Sequence, residues 1–142
     1  MAEVGVYDPK AYILDLGGRP ITGYASGSKI TVVREGNQTT DVAGVDGDVA
    51  VAETHDPRAT ITINLLATSS SNDMLSRLSR ARAKVPVMLR DMAGSTTVSG
   101  IGWVQRLPDI NVDAEVPVRA WEVRIAASDY HVGSSPIVGG AV

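Results

Sequence analysis

The 142-residue sequence contains no cysteine and no phenylalanine, and both absences restrict what the protein can be. Without cysteine the chain has no disulfides, no thiolate metal ligands and no thiol nucleophile. Only two Trp and four Tyr are present, so Val, Ala, Ile and Leu supply most of the apolar residues. β-Branched side chains are stiff and pack well on a pleated surface, and this composition therefore favours strands.

Basic charge and long apolar runs are scarce as well. The formal net charge is −3, which argues against a protein that reads nucleic-acid sequence, because such proteins need a basic surface. No stretch reaches the roughly 18 apolar residues of a membrane span. The first ten residues carry acids and no apolar run, so we expect no secretory signal. These observations predict a soluble protein that is assembled inside a cell and has no membrane partner.

Turn signals divide most of the chain into short segments of β type. Strands are predicted at Ala11–Leu16, Lys29–Glu35, Val49–Thr54, Ala59–Ala67, Val87–Asp91, Thr97–Val104 and Val116–Ala127, with Ile21–Tyr24 as a hairpin partner of the first. The clearest is Ala59–Ala67, whose apolar and polar residues alternate. This period of two predicts one buried face and one polar face, the latter carrying Thr60, Thr62 and Asn64.

One helix is predicted from Ser71 to Lys84, with Ser71 or Asn72 as its cap and Pro86 as its end. Its apolar stripe consists of Met74, Leu78, Ala81 and Val85, widened by Leu75. Its opposite face carries Arg77, Arg80 and Lys84. The predicted fold class is therefore mainly β, a β-sandwich or partly closed barrel of about seven to eight strands with one short amphipathic helix. We expect a single domain over residues 1–142, with a flexible Gly/Ser-rich tail from about residue 133.

Residues 36–48 are rich in Gly and Asp and have little periodicity, so we expect a long loop there. Loops of this length in compact domains tend to be functional or disordered. Charge is also segregated around it. Between Glu35 and Pro57 there are six acidic residues and no Lys or Arg, whereas the predicted helix carries four basic residues and the single acid Asp73. Two such segments could match head to tail between identical copies, and contacts of that kind produce rings or open filaments.

A search for catalytic or ligand-binding residues finds none that fit together. His55 and Asp56 are neighbours on an extended chain and point to opposite faces, and the other histidine, His131, is far away in sequence. Residues 46–48 resemble part of a calcium loop, but the further ligands that calcium requires are missing. The glycines at 100 and 102 lie in a strand pattern with no helix after it, which predicts close backbone approach or a bulge. We expect no enzyme, no cofactor and no metal site.

The order of these segments resembles a known structural family. The stretch AGVDGDVAVAETHD is followed by ATITINLLATSSSNDML, a strand that runs into a helix, and then by RDMAGST and the late strand PVRAWEVRI. Together they resemble the tail tube proteins of contractile-tailed bacteriophages, especially the compact myophage type, from Tyr12 to Tyr130. The same fold family includes tube proteins of type VI secretion and of phage-like bacteriocins.

The resemblance implies a structural virion protein rather than an enzyme. Six copies would form a ring whose inner strands join into one barrel, and stacked rings would form the inner tail tube that conducts the genome. The implied partners are further copies of the chain, the tail sheath, tape measure, baseplate hub and tail terminator proteins, and DNA as transient cargo. The implied location is the virion tail, assembled in the cytoplasm of the host bacterium.

Three surfaces become candidate contacts on this resemblance. The long loop would reach the adjacent ring through Thr40, Asp41, Gly44, Asp46, Gly47 and Asp48. The basic helix face would contact molecules outside the subunit through Arg77, Arg80 and Lys84, and the channel would be lined by Thr60, Thr62 and Asn64. Two alternatives remain open: a tube protein of a phage-like bacteriocin or type VI-like injection system, and a small ligand- or carbohydrate-binding β-sandwich, which should carry exposed aromatic residues for stacking.

Overall fold

The structure, a computed structural model, describes residues 4–5, 7–27, 29–92, 94–133 and 137–138. Its elements in chain order are β1 (Val4–Gly5), a 3-10 turn (Pro9–Ala11), β2 (Tyr12–Leu16), β3 (Arg19–Pro20), β4 (Ile30–Arg34), β5 (Thr39–Ala43), β6 (Val49–Glu53), β7 (Ala59–Leu66), α1 (Ser71–Ala81), β8 (Val85–Asp91), β9 (Thr97–Arg106), β10 (Val118–Ile125), β11 (Asp129–His131) and β12 (Ile137–Val138). The predicted fold class, mainly β with one short helix, is confirmed.

Eight strands form one antiparallel sheet in the order β3-β2-β8-β9-β10-β7-β4, with β11 beside β9. The sheet curls, and residues 21–25 bridge its two ends. The Ile21 N–H donates to the Leu14 carbonyl in β2, and the Ala25 N–H donates to the Asn64 carbonyl in β7, both at 2.9 Å. No continuous ladder closes the sheet within the described residues, so the body is a partly closed barrel.

The interior is filled by alternate residues of the central strands. The predicted alternation of β7 is confirmed, since four alternate apolar residues are fully buried: Ala59, Ile61, Ile63 and Leu65. In the neighbouring β10, Trp121 and Val123 are buried too and lie opposite Ile63 and Ile61 across the ladder. Burial of one such side chain stabilises the fold by about 1.5–3 kcal/mol, so these adjacent rows are central to its stability.

The helix ends three residues earlier than predicted. It stops at Ala81 because Arg82 has a φ of 50°, the left-handed conformation that commonly ends a helix. Lys84 therefore lies in the connection after the helix, and Val85 begins β8. Pro86, predicted to end the helix, lies inside β8 opposite Ile101. Sheet pairing on both sides of β8 overrides the helical propensity of this stretch.

The helix packs on a different stripe from the predicted one. Leu75 is fully buried, Met74 and Leu78 are half-buried against the core, and Ala81 is exposed. The buried stripe is therefore centred on Leu75, and the prediction that Ala81 belongs to it was wrong. The helix packs against β9, and Leu75 is its fully buried contribution to the hydrophobic core.

Asn72 fixes the start of the helix from within its first turn. Its Nδ2 donates to the Leu66 carbonyl at 2.9 Å, and its Oδ1 accepts a hydrogen bond from Trp121 Nε1 at 2.9 Å. The N-cap position itself is occupied by Ser70, whose side chain makes no capping hydrogen bond. Ser71, the other predicted cap, is buried and accepts from a backbone N–H outside the helix.

Residues 36–48, predicted as a loop, belong largely to a β-hairpin. β5 and β6 pair with each other and with no other described strand. Their turn is closed by the Gly44 N–H, which donates to the Asp48 carbonyl at 2.6 Å, and Gly47 adopts a φ of 90° that favours glycine. The prediction was wrong because the Gly and Asp content of the turn hid an Asp-Gly hairpin signal between β-branched residues. We call residues 39–53 the arm.

Smaller differences concern the ends of elements. The first hairpin uses Arg19–Pro20 rather than Ile21–Tyr24, although Tyr24 forms a single bridge to Leu65. The late strand is shorter than predicted, Val118–Ile125. Of the predicted flexible tail, Ile137–Val138 pairs with Val4–Gly5, and the rest after residue 133 lies outside the described residues.

The predicted close approach at the β9 glycines is confirmed. A Cβ on Gly100 would lie 2.5 Å from Cγ2 of Ile125 and 2.6 Å from the carbonyl oxygen of Ala127. A Cβ on Gly102 would meet the Arg124 carbonyl oxygen and Val87 Cγ2, each at 2.8 Å. Both positions therefore allow the neighbouring strands to pack closely.

Candidate assembly surfaces

The arm projects from the barrel, and every one of its strand residues is exposed. Val42, Val49 and Val51 are 70%, 62% and 62% exposed. In the ladder Asp41 lies opposite Val51 and Val42 opposite Ala50, so valines occupy both faces of the hairpin. A hairpin of two strands is marginally stable at best in water. The arm thus presents apolar surface that its own subunit does not cover.

The arm continues the outermost strand pair of the sheet. At its root the Glu35 N–H donates to the Arg58 carbonyl at 2.9 Å, and the Thr54 N–H donates to the Gln38 carbonyl at 2.7 Å. These two bonds join the β4–β7 ladder to the β5–β6 ladder. One long ribbon results, with one half in the barrel and the other half outside it.

Charged side chains fix the root of the arm. Asp56 accepts hydrogen bonds from Arg58 Nε at 2.9 Å and Nη2 at 2.8 Å, and these bonds lower the pKa of Asp56 to about 2. Glu35 accepts from Thr60 Oγ1 at 2.9 Å, and its Oε1 lies 3.4 Å from Arg124 Nη1. Two acid–base pairs, Asp56–Arg58 and Glu35–Arg124, therefore lie at the root of the ribbon on its polar side.

Thr60, Thr62 and Asn64 lie half-buried on the face of β7 opposite the core, as the alternation predicts. Thr62 lies in a cleft whose walls include Asp109 and Glu122. Thr60 is held by Glu35, so this face is polar and internally bonded. The structure thus places the three predicted channel residues on one face, beside a connection that partly covers Thr62.

The three predicted basic residues near the helix do not share one helix face. Arg77 and Arg80 are exposed on α1, whereas Lys84 is exposed in the connection that follows. There Lys84 lines a cleft with Arg82 and Trp103. The structure therefore presents two basic positions on the helix and a further basic cluster at its end.

The connection between β9 and β10 is an exposed surface for which the sequence predicted no role. Residues 107–117 contain no strand or helix. Ile110, Val112 and Val116 are 79%, 89% and 55% exposed. Arg119 Nη2 donates to the Asn111 carbonyl at 3.2 Å and ties this connection to β10. The sequence pattern could have indicated this surface, because apolar residues alternate with polar ones from Ile110 to Val118 as they do in a strand.

Lys29 lies at the seam, the region where residues 21–25 connect the two ends of the sheet. Its Nζ donates to the Pro9 carbonyl at 2.8 Å and lies 4.5 Å from the centre of the Tyr24 ring. Burial lowers the pKa of Lys29, and burial followed by the charge of Asp15 raises the pKa of Tyr24 to about 12. A cleft of about 460 Å³ beside Lys29 contains Tyr7 and Tyr12, but the lysine is already engaged by backbone carbonyls.

The candidate catalytic and metal-binding residues lie far from one another or are bound to other partners. His55 and His131 are both exposed, and Asp56 is bound by Arg58 rather than by His55. Among the described residues, no three His, Asp or Glu side chains are grouped closely enough to hold a metal ion. In the same part of the chain, no helix is long and apolar enough to cross a membrane.

No protein-family model matches the sequence, and no curated protein matches it. Solved structures do contain similar chains. One, from the virion of a native gene transfer agent (GTA) particle, has a TM-score of 0.64 at 12% identity, over 89% of this chain and 100% of that one. Another, from the anti-feeding prophage cap, a tube terminating cap, has a TM-score of 0.62 at 14% identity, over 96% of this chain and 95% of that one. The protein therefore shares its fold with chains of a virion and of a tube terminating cap, which confirms the predicted resemblance at the level of fold.

Proposed function

We propose that the protein is a structural subunit of a phage-type tail, in which six copies form a ring and stacked rings form the inner tube that conducts the genome. The observation that carries the proposal is the arm, a projecting hairpin with valines on both faces and no cover from its own subunit. A monomeric protein gains nothing from such a surface, whereas a neighbouring copy can bury it. The shared fold with chains of a virion and of a tube terminating cap supports this assignment.

The arm is the proposed contact between rings. The residues proposed at the contact are Thr40, Asp41, Gly44, Asp46, Gly47 and Asp48. The basic positions Arg77, Arg80 and Lys84 are exposed for contacts outside the subunit, including the tail sheath. Unlike surfaces that match between identical copies generate stacks and filaments, and their charges set the register of the contact.

The face of Thr60, Thr62 and Asn64 is the proposed wall of the channel. A conduit should not hold its cargo, and every phosphate that Lys or Arg neutralises adds salt-dependent affinity for DNA. Arg124 on this face lies beside Glu35, which suits a channel that DNA crosses only transiently. Tape measure, baseplate hub and tail terminator proteins complete the proposed set of partners. A density map of the assembled tube tests this wall, and unpaired Arg and Lys around the channel would contradict it.

A second candidate is a tube-terminating subunit, because one of the chains with this fold comes from a tube terminating cap. A terminator binds the end of a tube and does not polymerise. Electron microscopy of the purified protein separates the two candidates, since tubes support a tube subunit and single rings that cap added tubes support a terminator. Tubes of a phage-like bacteriocin or injection system would assemble in the same way but contain no genome.

Trimming the arm tests the contact between rings. The Thr54 N–H donates to the Gln38 carbonyl at the root of the arm, so the arm, residues 39–53, can be replaced by an Asn-Gly turn that joins these two residues. We expect this variant to unfold at the same denaturant concentration as the parent protein and to form rings but no tubes. His131→Ala, at an exposed position outside the arm, is the matched control and should elongate normally. Normal elongation by the trimmed variant would show that the arm is not the axial contact.

A further inference from the structure

Residues 110–116 have the sequence of a strand but do not form one. Apolar and polar residues alternate throughout, in the pattern of a strand with one buried face: Ile110, Asn111, Val112, Asp113, Ala114, Glu115 and Val116. In the subunit this segment is irregular, and the side chains of Ile110 and Val112 are 79% and 89% exposed. A hairpin connection usually needs only about 2–5 residues, so the chain here is longer than the link between β9 and β10 requires.

β4 offers an open edge. The hydrogen bonds at the two ends of its ladder, from the Glu35 N–H to Arg58 and from the Asn64 N–H to Lys29, show that the odd-numbered residues face β7. In an antiparallel pair the alternate residues direct their N–H and C=O groups to the other side. No strand in the described part of the chain lies on that side of β4. The residues whose N–H and C=O groups face this side are Ile30, Val32 and Arg34. An edge of this kind can accept an additional strand.

Charge distinguishes β4 from the other edges. Segment 110–116 carries Asp113 and Glu115 and no basic residue, and both edges of the arm are acidic, with Asp41 in β5 and Glu53 in β6. β4 contains no acid, and its row of Ile30 and Val32 matches the apolar row of the segment. The far end of the sheet is already covered, because residues 19–21 pair along β2. The acidic segment therefore fits the edge of β4 better than either acidic edge of the arm.

We infer that segment 110–116 of one copy adds as a strand to the open edge of β4 in a second copy. Its apolar row would extend the row of Ile30 and Val32, which already pack against the core, and its acids would remain on the polar face. Pro117, which has no N–H to donate, follows the last paired residue. The inference rests on the proposed function, because it requires self-association, and it names both elements of the lateral contact between subunits.

Paired cysteines test this contact directly, because the natural chain contains none. Val33 is 55% exposed on the polar side of β4, so Val33→Cys is combined in turn with a single cysteine at each position from 111 to 115. A disulfide needs Cα atoms about 4.4–6.8 Å apart, and successive residues of a strand face opposite sides. We expect disulfide-linked dimers with cysteine at the one odd position that lies opposite Val33, and not at 112 or 114. Val33→Cys combined with Val45→Cys at the arm tip is the control and should give none.

The outcomes separate this inference from the proposed function. Assembled protein without the odd–even alternation would overturn the strand addition and leave tube assembly standing. Protein that never assembles would overturn both.

A backbone test complements the cysteine scan. Ala114→Pro removes one N–H from the segment, whereas Ala114→Ser keeps it, and both should fold because the segment is irregular in the subunit. Proline should raise the concentration needed for assembly about tenfold, the equivalent of one lost ladder bond. An equal effect of both substitutions would overturn the inference.

Discussion

The two halves of the long ribbon have the same pairing and opposite surroundings. In the β4–β7 half, alternate residues of β7 are fully buried against the core. In the β5–β6 half, every residue is exposed. The ribbon thus runs from a strand whose alternate residues are buried to two strands that are fully exposed, with a break between the two ladders. Both halves are paired by backbone hydrogen bonds, so we expect the difference in stability between them to come from apolar burial.

We therefore expect the two halves of the ribbon to have different roles. The buried half stabilises the subunit, and changes there should appear in the free energy of unfolding. The exposed half contributes little to the subunit, and changes there should appear in assembly.

The largest difference is expected between Ile61→Ala and Val51→Ala. Ile61 is completely buried, and its truncation should lower the free energy of unfolding by about 2–5 kcal/mol, the cost of a cavity plus lost burial. Val51 is 62% exposed, and its truncation should stay within about 0.5 kcal/mol while weakening tube formation. Urea denaturation and sedimentation of both variants measure the two effects. Similar losses of stability would show that the arm packs on the subunit.

The next effect is expected at Asn72. Asn72→Ala would leave Trp121 Nε1 and the Leu66 carbonyl without this partner, which should cost about 1–3 kcal/mol. Thr40→Ala in the arm is the matched polar truncation and should change stability by less than about 0.5 kcal/mol. Thermal unfolding followed by near-ultraviolet circular dichroism measures both. A loss of stability in Thr40→Ala as large as that in Asn72→Ala would contradict this prediction.

A smaller effect of opposite sign is expected at the seam. The Tyr24 hydroxyl is buried without a hydrogen-bond partner among the described residues, so Tyr24→Phe should keep or raise stability by up to about 1 kcal/mol. Because the folded pKa of Tyr24 is raised to about 12, the parent protein should lose stability as pH rises from 10 towards 12. The phenylalanine variant should lose less over this range. Urea titrations at pH 8, 10 and 11.5 measure the difference, and identical pH profiles would contradict it.

The smallest effect is expected at the root of the arm. The pKa of Asp56 is lowered to about 2 by its bonds to Arg58, so the stability this pair supplies is present above the ordinary carboxyl pKa of about 4 and is lost as pH falls towards 2. Asp56→Asn should therefore lower the melting temperature slightly at pH 7 and by less at pH 2.5, because the contribution of the pair shrinks as the pH approaches 2. Glu53→Gln, in the exposed arm, should change the melting temperature at neither pH. A difference for Asp56→Asn that is as large at pH 2.5 as at pH 7 would exclude this pair as its cause.

The barrel was predictable because its strands pack against the core of their own subunit, which imposes a regular pattern of apolar residues. The alternation of β7 requires one face to be buried, and the sequence shows that face directly at Ile61 and Ile63. The helix was predictable for the same reason, although its end was not. Arg82 and Lys84 suit a helix as well as a turn, and pairing of β8 with two neighbouring strands decides between these conformations.

The arm was not predictable as a hairpin, because both of its strands are exposed and no core imposes a pattern on them. Its valines point to both faces, so no period of two with one buried face exists between Thr39 and Glu53. The predicted contact residues from Thr40 to Asp48 nevertheless lie in it, and their role as a ring contact stays a prediction. Segment 110–116 shows the converse: its pattern is clear in the sequence, but it pairs with no strand in the described part of the chain.

Sedimentation velocity of the purified chain over a wide concentration range, with electron microscopy of the fastest fraction, tests whether the protein assembles into rings and tubes. Exposed arms should find neighbours as the concentration rises, so that discrete large species replace the monomer and appear as rings or tubes. A single monomeric species at every concentration, unchanged when preformed tail tubes or a baseplate are supplied as a nucleus, would contradict it.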